Sequence, residues 1–182
     1  IVIISGIVVI VFIAIYNNLV RKRNEVENAF SGIDVQLKKR YDLIPNLIST
    51  VQQLMSHEKE LLENITKLRT QAMSDGLSTD EKVKIDNQLS GAMGKFNITV
   101  ENYPEIKSDA SFLNLQQSFN EVESQISAAR RTFNAAVTAY NNAIETFPSN
   151  ILAGMLSYKR KDVLEIPQEE RENISAKALF KS

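Results

Sequence analysis

The sequence contains no cysteine, no tryptophan and a single histidine among its 182 residues. The absence of cysteine excludes a disulfide framework, thiolate catalysis and zinc sites built on sulfur ligands. The 21 basic and 22 acidic side chains leave a formal net charge of -1, which gives no global attraction to nucleic acid. With only 6 glycines and 4 prolines, long regular elements are expected. The chain is therefore bounded to one ordinary domain with additions, and we expect no nucleic-acid partner.

The first twenty residues predict a membrane-spanning helix. No charged side chain occurs from Ile1 to Leu19, and twenty residues at a rise of about 1.5 Å reach about 30 Å, the thickness of a hydrocarbon core. A cleaved signal peptide is the alternative interpretation, but no cleavage site of small residues follows the apolar run. We therefore expect residues 1–20 to lie in the lipid bilayer as a single pass through the cell (inner) membrane.

The basic residues that follow the span predict its orientation. Arg21, Lys22 and Arg23 come directly after the apolar run, and basic flanks are retained on the cytoplasmic side during insertion. This places the rest of the chain in the cytoplasm. The periplasmic or extracellular side stays open as an alternative, because any basic residues before Ile1 would enter the same comparison.

Beyond the span, apolar residues recur at steps of three and four, the spacing of an amphipathic helix. One stripe extends from Val26 to Ala72 and includes Pro45, which predicts a single long helix that kinks at the proline without reversing. Residues 74–78 predict a loop, and Ser78 with Glu81 predicts a capping box at the start of the next helix. No stretch alternates with a strand period, so the predicted fold class is all-α.

A third long helix has the clearest register in the chain. We expect Asp109 to cap it and Pro148 to end it. Its apolar seam, a repeat of threes and fours over about five heptads, consists of Phe112, Leu115, Phe119, Val122, Ile126, Ala129, Phe133, Ala136, Tyr140, Ala143 and Phe147. A second face has little charge for a solvated surface and consists of Ser118, Gln125, Thr132, Ala139 and Asn142. This face predicts that copies of the chain associate side by side as a homo-oligomer.

These patterns divide the chain into three parts. Residues 1–20 form the transmembrane helix, residues 21–158 form an antiparallel bundle of three to four long helices, and residues 159–182 form a charged C-terminal tail. The tail contains Pro167 and the polar run from Gln168 to Glu172. The predicted architecture is a membrane span that continues into a helical bundle.

The sequence predicts no catalytic, cofactor-binding or metal site. His57 and Glu60 share a helix face, but a di-iron bundle needs a Glu-x-x-His pair on each of two helices, which a chain with one histidine lacks. A solvated surface is the better interpretation of His57. No Ser-His-Asp arrangement is completed around it, and no glycine-rich phosphate loop is present. We therefore expect a protein that is not an enzyme and holds no cofactor.

A basic cluster and several amides have two interpretations each. Lys38, Lys39 and Arg40 either form a surface for a partner or pair inside the bundle; roughly twenty helical residues, about 30 Å, separate them from the span, so we expect no direct contact with lipid. Asparagines lie on or beside the apolar stripes at positions 24, 46, 134 and 141. Such amides commonly fix the register and oligomeric state of helices, with binding as the alternative.

Several blocks of the sequence closely resemble the LemA family of bacterial membrane proteins. These blocks are Tyr16 to Val20 with Arg23-Asn24, Ile33 to Leu47, Glu101 to Pro104, Ala129 to Arg131, Tyr140-Asn141 and Phe147 to Asn150. The resemblance implies a short N-terminal span joined to a helical bundle, with no established catalytic activity. Some members are associated with building magnetosome membranes, which implies a scaffolding role, and some look like lipoproteins that face the periplasm. Phe30 departs from the family pattern, because members often carry tryptophan there.

The leading functional hypothesis is a single-pass, membrane-anchored helical scaffold that self-associates or docks partners and performs no catalysis. The alternative is a membrane-tethered signalling or ligand-sensing bundle, and a third hypothesis is a cryptic hydrolase. The mass of the detergent-extracted protein separates the first two. A large discrete assembly favours the scaffold, whereas a monomer that changes only when ligand is added favours the sensor.

Overall fold

The structure, a computed structural model, describes residues 2–164, and these residues contain helices and turns without a strand. The helices are α1 (Val2–Val51), a 3₁₀ helix (Ser56–Glu58), α2 (Lys59–Ala72), α3 (Thr79–Val100), α4 (Pro104–Lys107), α5 (Ala110–Glu145) and α6 (Ser149–Met155). The predicted all-α fold, with a long apolar N-terminal helix followed by packed helices, is confirmed. Residues 165–182, which include Pro167 and the run Gln168 to Glu172 of the predicted tail, lie outside the described residues.

Contacts divide the chain into two compact units. The first unit contains the chain up to Asp34 together with Ser127–Leu164, and the second unit contains Val35–Ile126. Helices α1 and α5 each contribute residues to both units.

Helix α1 contributes to the core through a heptad register. Leu19, Val26 and Ile33 are buried at intervals of seven, and Leu47 continues the same series. A residue every seven positions stays on one face of a helix, so this face packs inward while the remaining faces stay accessible. The register also places residue 40, an arginine, at a core position between Ile33 and Leu47.

The predicted single helix from Val26 to Ala72 is wrong, because the chain reverses after Val51. Helix α1 ends there, a turn and the 3₁₀ helix follow, and α2 then runs back along α1. The return is shown by Arg69 of α2, whose Nε donates a hydrogen bond of 2.7 Å to the main-chain oxygen of Tyr41. The stripe continues in register because both helices turn their apolar sides to one core, and neither Gly nor Pro marks the reversal between positions 52 and 55.

Pro45 lies inside α1 and does not end it. Proline lacks the N–H that would bond the carbonyl four residues earlier, which is that of Tyr41. The guanidinium of Arg69 donates to this same carbonyl oxygen. The acceptor that the proline frees is therefore satisfied by α2, and the site of the lost helical bond becomes a bond between the two helices.

The predicted helix starts at Ser78 and Asp109 are confirmed. The Ser78 side chain accepts from the Glu81 N–H, and the Glu81 carboxylate accepts from the Ser78 N–H at 2.9 Å. These hydrogen bonds from Ser78 lower the pKa of Glu81. Asp109 accepts from the N–H of Phe112 at 2.8 Å at the start of α5. Both caps satisfy N–H groups that have no partner within their helices.

One of the two heptad series in the predicted seam of α5 is buried from Phe112 to Tyr140, whereas the other shifts by one residue along the helix. Phe112, Phe119 and Tyr140 are buried, but Phe147 lies beyond the end of α5 and is 76% exposed. Val137 and Ile144, which lie outside the predicted seam, are buried. A straight helix drifts by about 20° per heptad relative to a repeat of 3.5 residues. After several heptads, the core position therefore passes from the predicted residue to the next residue along the chain.

Candidate functional site

The most exposed apolar surface of the described residues lies at the start of α1. Ile3, Ile4 and Ile10 are each more than two-thirds exposed, and Leu19 is the first fully buried apolar residue. By length and composition, α1 is the one helix of the described residues that is able to cross a membrane. Water around so large an apolar surface is unfavourable, so this segment fits association with lipid.

The sequence-predicted basic cluster divides between surface and core. Lys38 and Lys39 are exposed, whereas Arg40 is 1% exposed in the second unit. Its Nη1 donates to Asp86 Oδ1 at 2.9 Å, and its Nη2 donates to Ser90 Oγ at 3.0 Å. Of the two interpretations of this cluster, pairing inside the bundle is therefore correct for Arg40.

Two side chains of α5 complete the surroundings of Arg40. The Nε atom lies 2.8 Å from Glu123 Oε1, and the guanidinium carbon lies 5.5 Å from the centroid of the Phe119 ring. One guanidinium thus joins α1 to α3 and to α5 through oppositely charged, hydroxyl and aromatic groups. We name Arg40, Asp86, Ser90, Phe119 and Glu123 the buried arginine cluster. Both terminal nitrogens of the guanidinium donate hydrogen bonds to side chains of α3, and its Nε contacts a carboxylate of α5, so the cluster links the three helices.

The sequence carried a signal for this cluster that apolar counting missed. Position 40 falls on the heptad series of Leu19, Val26, Ile33 and Leu47, so the register alone places it inside. A charged residue at such a position requires partners of opposite charge within the fold. Asp86 and Glu123 supply them, and their identity could not be read from the spacing because they lie on other helices.

His57 lies exposed in the 3₁₀ helix, and Glu60 is exposed at the start of α2. In the chain from 2 to 164, no group of three or more His, Asp or Glu side chains is placed to hold a metal ion. At this end of the second unit, a cleft of about 700 Å³ has an apolar wall of Ile48, Met55 and Leu62 with Lys67 at its edge. A volume of this size is typical of clefts that bind small molecules.

Asn134 and Asn141 form the most regular polar arrangement of the first unit. Asn134 Nδ2 donates to the Leu164 oxygen at 2.9 Å, and its Oδ1 accepts from the Leu164 N–H at 2.8 Å. Asn141 binds both main-chain groups of Lys161 in the same way, at 2.8 and 3.0 Å. The two amides thus hold the main chain of residues 161–164, which we name the strap, against α5. Sequence reasoning preferred a register role for them; in the structure they bind main chain.

The geometry of the strap explains the spacing of the two amides. Asn134 and Asn141 are seven residues apart on α5, about 10 Å along the helix axis. Lys161 and Leu164 are three residues apart, which in extended chain is also about 10 Å. Helix and strap run in opposite directions, because the earlier amide binds the later strap residue. Tyr140 adds a hydrogen bond of 3.0 Å from its hydroxyl to the Lys159 oxygen, and burial raises the pKa of Tyr140.

The second face predicted on α5 remains partly accessible. Ser118, Thr132 and Asn142 are exposed, while Gln125 and Ala139 are half-buried. These side chains are uncharged. The face therefore has little charge for a solvated surface, which is the property by which the sequence identified it.

Comparison with known proteins connects these features to a family. The model of the LemA family matches residues 29–177 of the chain, which covers the buried arginine cluster and both strap asparagines. The protein named LemA of Metamycoplasma hominis is 26% identical over 174 residues, which span 96% of this chain and 80% of that protein.

Two magnetosome proteins are similar at the same level. Magnetosome protein MamQ 2 of Paramagnetospirillum magneticum is 24% identical over 192 residues, covering 90% of this chain and 71% of its own length. Magnetosome protein MamQ of Magnetospirillum gryphiswaldense is 25% identical over 170 residues, covering 80% of this chain and 62% of its own length. Because the family match extends over most of the sequence, the chain belongs to the LemA family.

Proposed function

We propose that this protein is a single-pass, membrane-anchored helical scaffold that self-associates or docks partners at the inner membrane and performs no catalysis. The observation that carries the proposal is the continuity of α1. One helix of 50 residues presents an exposed apolar surface at its beginning and contributes core residues from Leu19 to Val51. The proposed anchor and part of the helical core therefore belong to one helix. An assembly of several copies of this chain would thus be attached directly to the membrane.

The buried arginine cluster supports a structural role for the second unit. Its charged groups are used to hold three helices, and His57 stands exposed on the surface. Two of the similar chains are named magnetosome proteins. A scaffold fits that context, since it acts through position and contact.

Self-association is proposed through the short, uncharged side chains of α5. Anchoring places all copies in one plane and raises their effective concentration, so weak lateral contacts suffice for assembly. We expect Ala139→Arg to reduce the mass of the detergent-extracted assembly, because an unpaired charge in a closed interface costs several kcal/mol. Thr132→Arg, at an exposed position of the same face, is expected to act in the same direction.

The measurement is light scattering of the purified full chain coupled to size-exclusion chromatography, with circular dichroism as the check on folding. Asn97→Arg is the matched control, because it adds the same charge at an exposed position of α3. A smaller but equally helical particle for the two α5 variants alone supports the interface. An unchanged mass for Thr132→Arg with retained helicity shows that this face does not join copies.

The cytoplasmic location of the bundle is proposed from Arg21, Lys22 and Arg23. The chain has no cysteine, so Ser74→Cys introduces a unique thiol at an exposed position. We expect a membrane-impermeant maleimide to leave this thiol unlabelled in intact cells and to label it after permeabilisation. Labelling in intact cells places the bundle on the outer side and reverses the proposed orientation.

The cleft beside the 3₁₀ helix favours ligand sensing as a second candidate function. Its apolar wall and its volume of about 700 Å³ suit a small molecule, and Lys67 at its edge suits an acidic group. A sensor is distinguished from a scaffold by mass, as a particle whose assembly state changes only when ligand is present. A constant assembly in the presence and absence of ligand favours the scaffold.

A further inference from the structure

The end of α5 lies beside the end of the membrane span in the first unit. The rings of Phe30 on α1 and Phe133 on α5 meet with centroids 5.9 Å apart, and Tyr140 lines a pocket together with Tyr16 and Arg23. Helix α5 therefore runs opposite to α1 and descends toward the span. Seven residues beyond Tyr140, about 10 Å along the axis, the chain reaches the level of Tyr16, where the apolar run of α1 ends.

At that level, the turn after α5 and helix α6 expose apolar side chains. Phe147 is 76% exposed, Ile151 is 59% exposed and Met155 is 73% exposed, whereas Leu152 and Ala153 face inward and are buried. We name Phe147, Ile151 and Met155 the apolar corner. Three large apolar side chains that point away from the core next to a membrane span are placed as in elements that enter the boundary between headgroups and acyl chains.

Beside the apolar corner, the first unit contains a pocket of about 530 Å³ with basic and aromatic walls. The pocket is lined by Tyr16, Arg23, Tyr140, Tyr158, Lys159, Arg160 and Lys161, together with Leu156 and Ser157. We name it the basic pocket. Its length along α1, from Tyr16 to Arg23, is about 10 Å, which is comparable to the headgroup layer that adjoins the hydrocarbon core.

Among the residues that the structure describes, the cations of the basic pocket outnumber the carboxylates that pair with them. Glu27 pairs with Arg23 at 3.1 Å, and Glu145 pairs with Arg160 at 2.9 Å. The ammonium of Lys161 lies 5.8 Å from the centroid of the Tyr140 ring, and Lys159 adds a further cation to the wall. The pocket thus retains positive charge next to tyrosine hydroxyls, which is the chemistry that binds a phosphate oxygen.

The strap fixes the basic side chains in place. Asn141 binds both main-chain groups of Lys161, and Tyr140 donates to the main-chain oxygen of Lys159. On the side of the strap, these hydrogen bonds involve only main-chain atoms, so the side chains of Lys159 and Lys161 remain available to a ligand. A site whose backbone is already ordered loses less entropy when it binds.

We propose that the basic pocket binds the phosphodiester headgroup of an anionic phospholipid while the apolar corner enters the same leaflet. A lipid headgroup and a soluble phosphodiester share the anionic phosphate that the pocket would bind. We favour the lipid of the bilayer as the ligand, because the pocket begins at Tyr16, where the apolar run of α1 ends. The proposal uses the membrane anchoring of the proposed function, and it does not depend on self-association. Assembly mass and lipid retention are separate readouts, so either can fail alone.

The first test counts lipids retained by the detergent-extracted full chain in native mass spectrometry. We expect phosphatidylglycerol to be retained in preference to phosphatidylcholine, and Lys159→Gln with Lys161→Gln to weaken phosphatidylglycerol binding about ten-fold or more. The control is Lys38→Gln with Lys39→Gln, which removes the same charge at exposed positions outside the pocket. Both variants leave the main-chain bonds of the strap intact.

Three results would overturn the proposal. If both double variants weaken phosphatidylglycerol binding equally, general surface charge holds the lipid. If phosphatidylglycerol and phosphatidylcholine are retained equally, the protein does not distinguish lipids by headgroup charge. Competition with glycerophosphoglycerol, a soluble phosphodiester, separates the two sources. If this compound binds the full chain in detergent as tightly as the lipid does, the occupant is soluble and the membrane assignment is wrong.

The second test measures the depth of the apolar corner. The chain has no tryptophan, so Phe147→Trp introduces a single tryptophan, which is excited selectively over tyrosine at its long-wavelength edge, and Phe30→Trp provides the same substitution about 21 Å along α1 beyond Tyr16. In nanodiscs with brominated acyl chains we expect strong quenching of Trp at 147 and none at 30. Equal quenching at both positions, or a change in assembly mass with Met155→Gln at unchanged lipid retention, would show that a second copy or water covers the corner instead.

Discussion

Replacing Arg40 by methionine is expected to lower the free energy of unfolding by about 3–5 kcal/mol. Arg40 and Asp86 are each 1% exposed, and their side chains are joined at 2.9 Å. Without the guanidinium, the buried Asp86 carboxylate loses this cationic partner, and Glu123 and Ser90 lose a partner as well. The measurement is urea unfolding of the full chain in detergent, followed by circular dichroism.

Two further variants determine what the result means. Lys39→Met makes the same change at an exposed neighbouring position, and we expect it to stay within about 0.5 kcal/mol of the parent. Replacing Arg40, Asp86 and Glu123 together by apolar residues of similar volume is expected to restore much of the lost stability, because no charged side chain then remains in this cluster. A single Arg40→Met variant as stable as the parent would mean that the cluster does not hold the three helices together.

The apolar N-terminal helix, the fold class and the helix caps could be predicted from the sequence because each depends on neighbouring residues. Ser78 and Glu81 are three positions apart, and the run before Tyr16 contains no charged residue. Local signals of this kind need no knowledge of what packs against them. The buried arginine cluster depends on residues 46 and 50 positions apart in the chain, so its composition required the fold.

The errors have physical causes of the same kind. The reversal after Val51 was missed because α1 and α2 share one core, which keeps their apolar stripe in register through the turn. Phe147 was placed in the seam because its spacing fits, although α5 ends at Glu145. The attachment of the strap to α5 could not be predicted, since nothing in Lys159 to Lys161 indicates that asparagines on α5 bind its main chain.

The strap connects α5 to the basic pocket. Its main chain is bound by Asn134 and Asn141, and its side chains supply the cations of the basic pocket. Asparagine suits this position because its amide offers one donor and one acceptor, the complement of a peptide group. Two side chains of α5 thus bind the extended strap through its peptide groups, much as a neighbouring strand would. The two bound residues, Lys161 and Leu164, are about 10 Å apart.

Replacing Asn141 by alanine is expected to release the strap and to cost about 2–3 kcal/mol of local stability. Asn141 is 6% exposed. In the variant, both the main-chain N–H and the main-chain oxygen of Lys161 lose the hydrogen bond that the Asn141 amide makes to them. We expect the amide of Lys161 to exchange with deuterium about thirty- to a hundredfold faster in the variant. Hydrogen exchange of the full chain in detergent, measured by mass spectrometry on peptides that cover residues 158–164, checks this.

Asn142→Ala is the matched control for that variant, because it removes the neighbouring amide from an exposed position of the same helix turn. We expect its exchange in the strap to equal that of the parent, and we expect Asn134→Ala to accelerate exchange at Leu164 more than at Lys161. If Asn141→Ala leaves the exchange of Lys161 unchanged, the two hydrogen bonds do not hold the strap. If it accelerates exchange throughout α5 as well, the strap and the helix open as one cooperative unit, and the cations of the basic pocket are then ordered only as long as the first unit is folded.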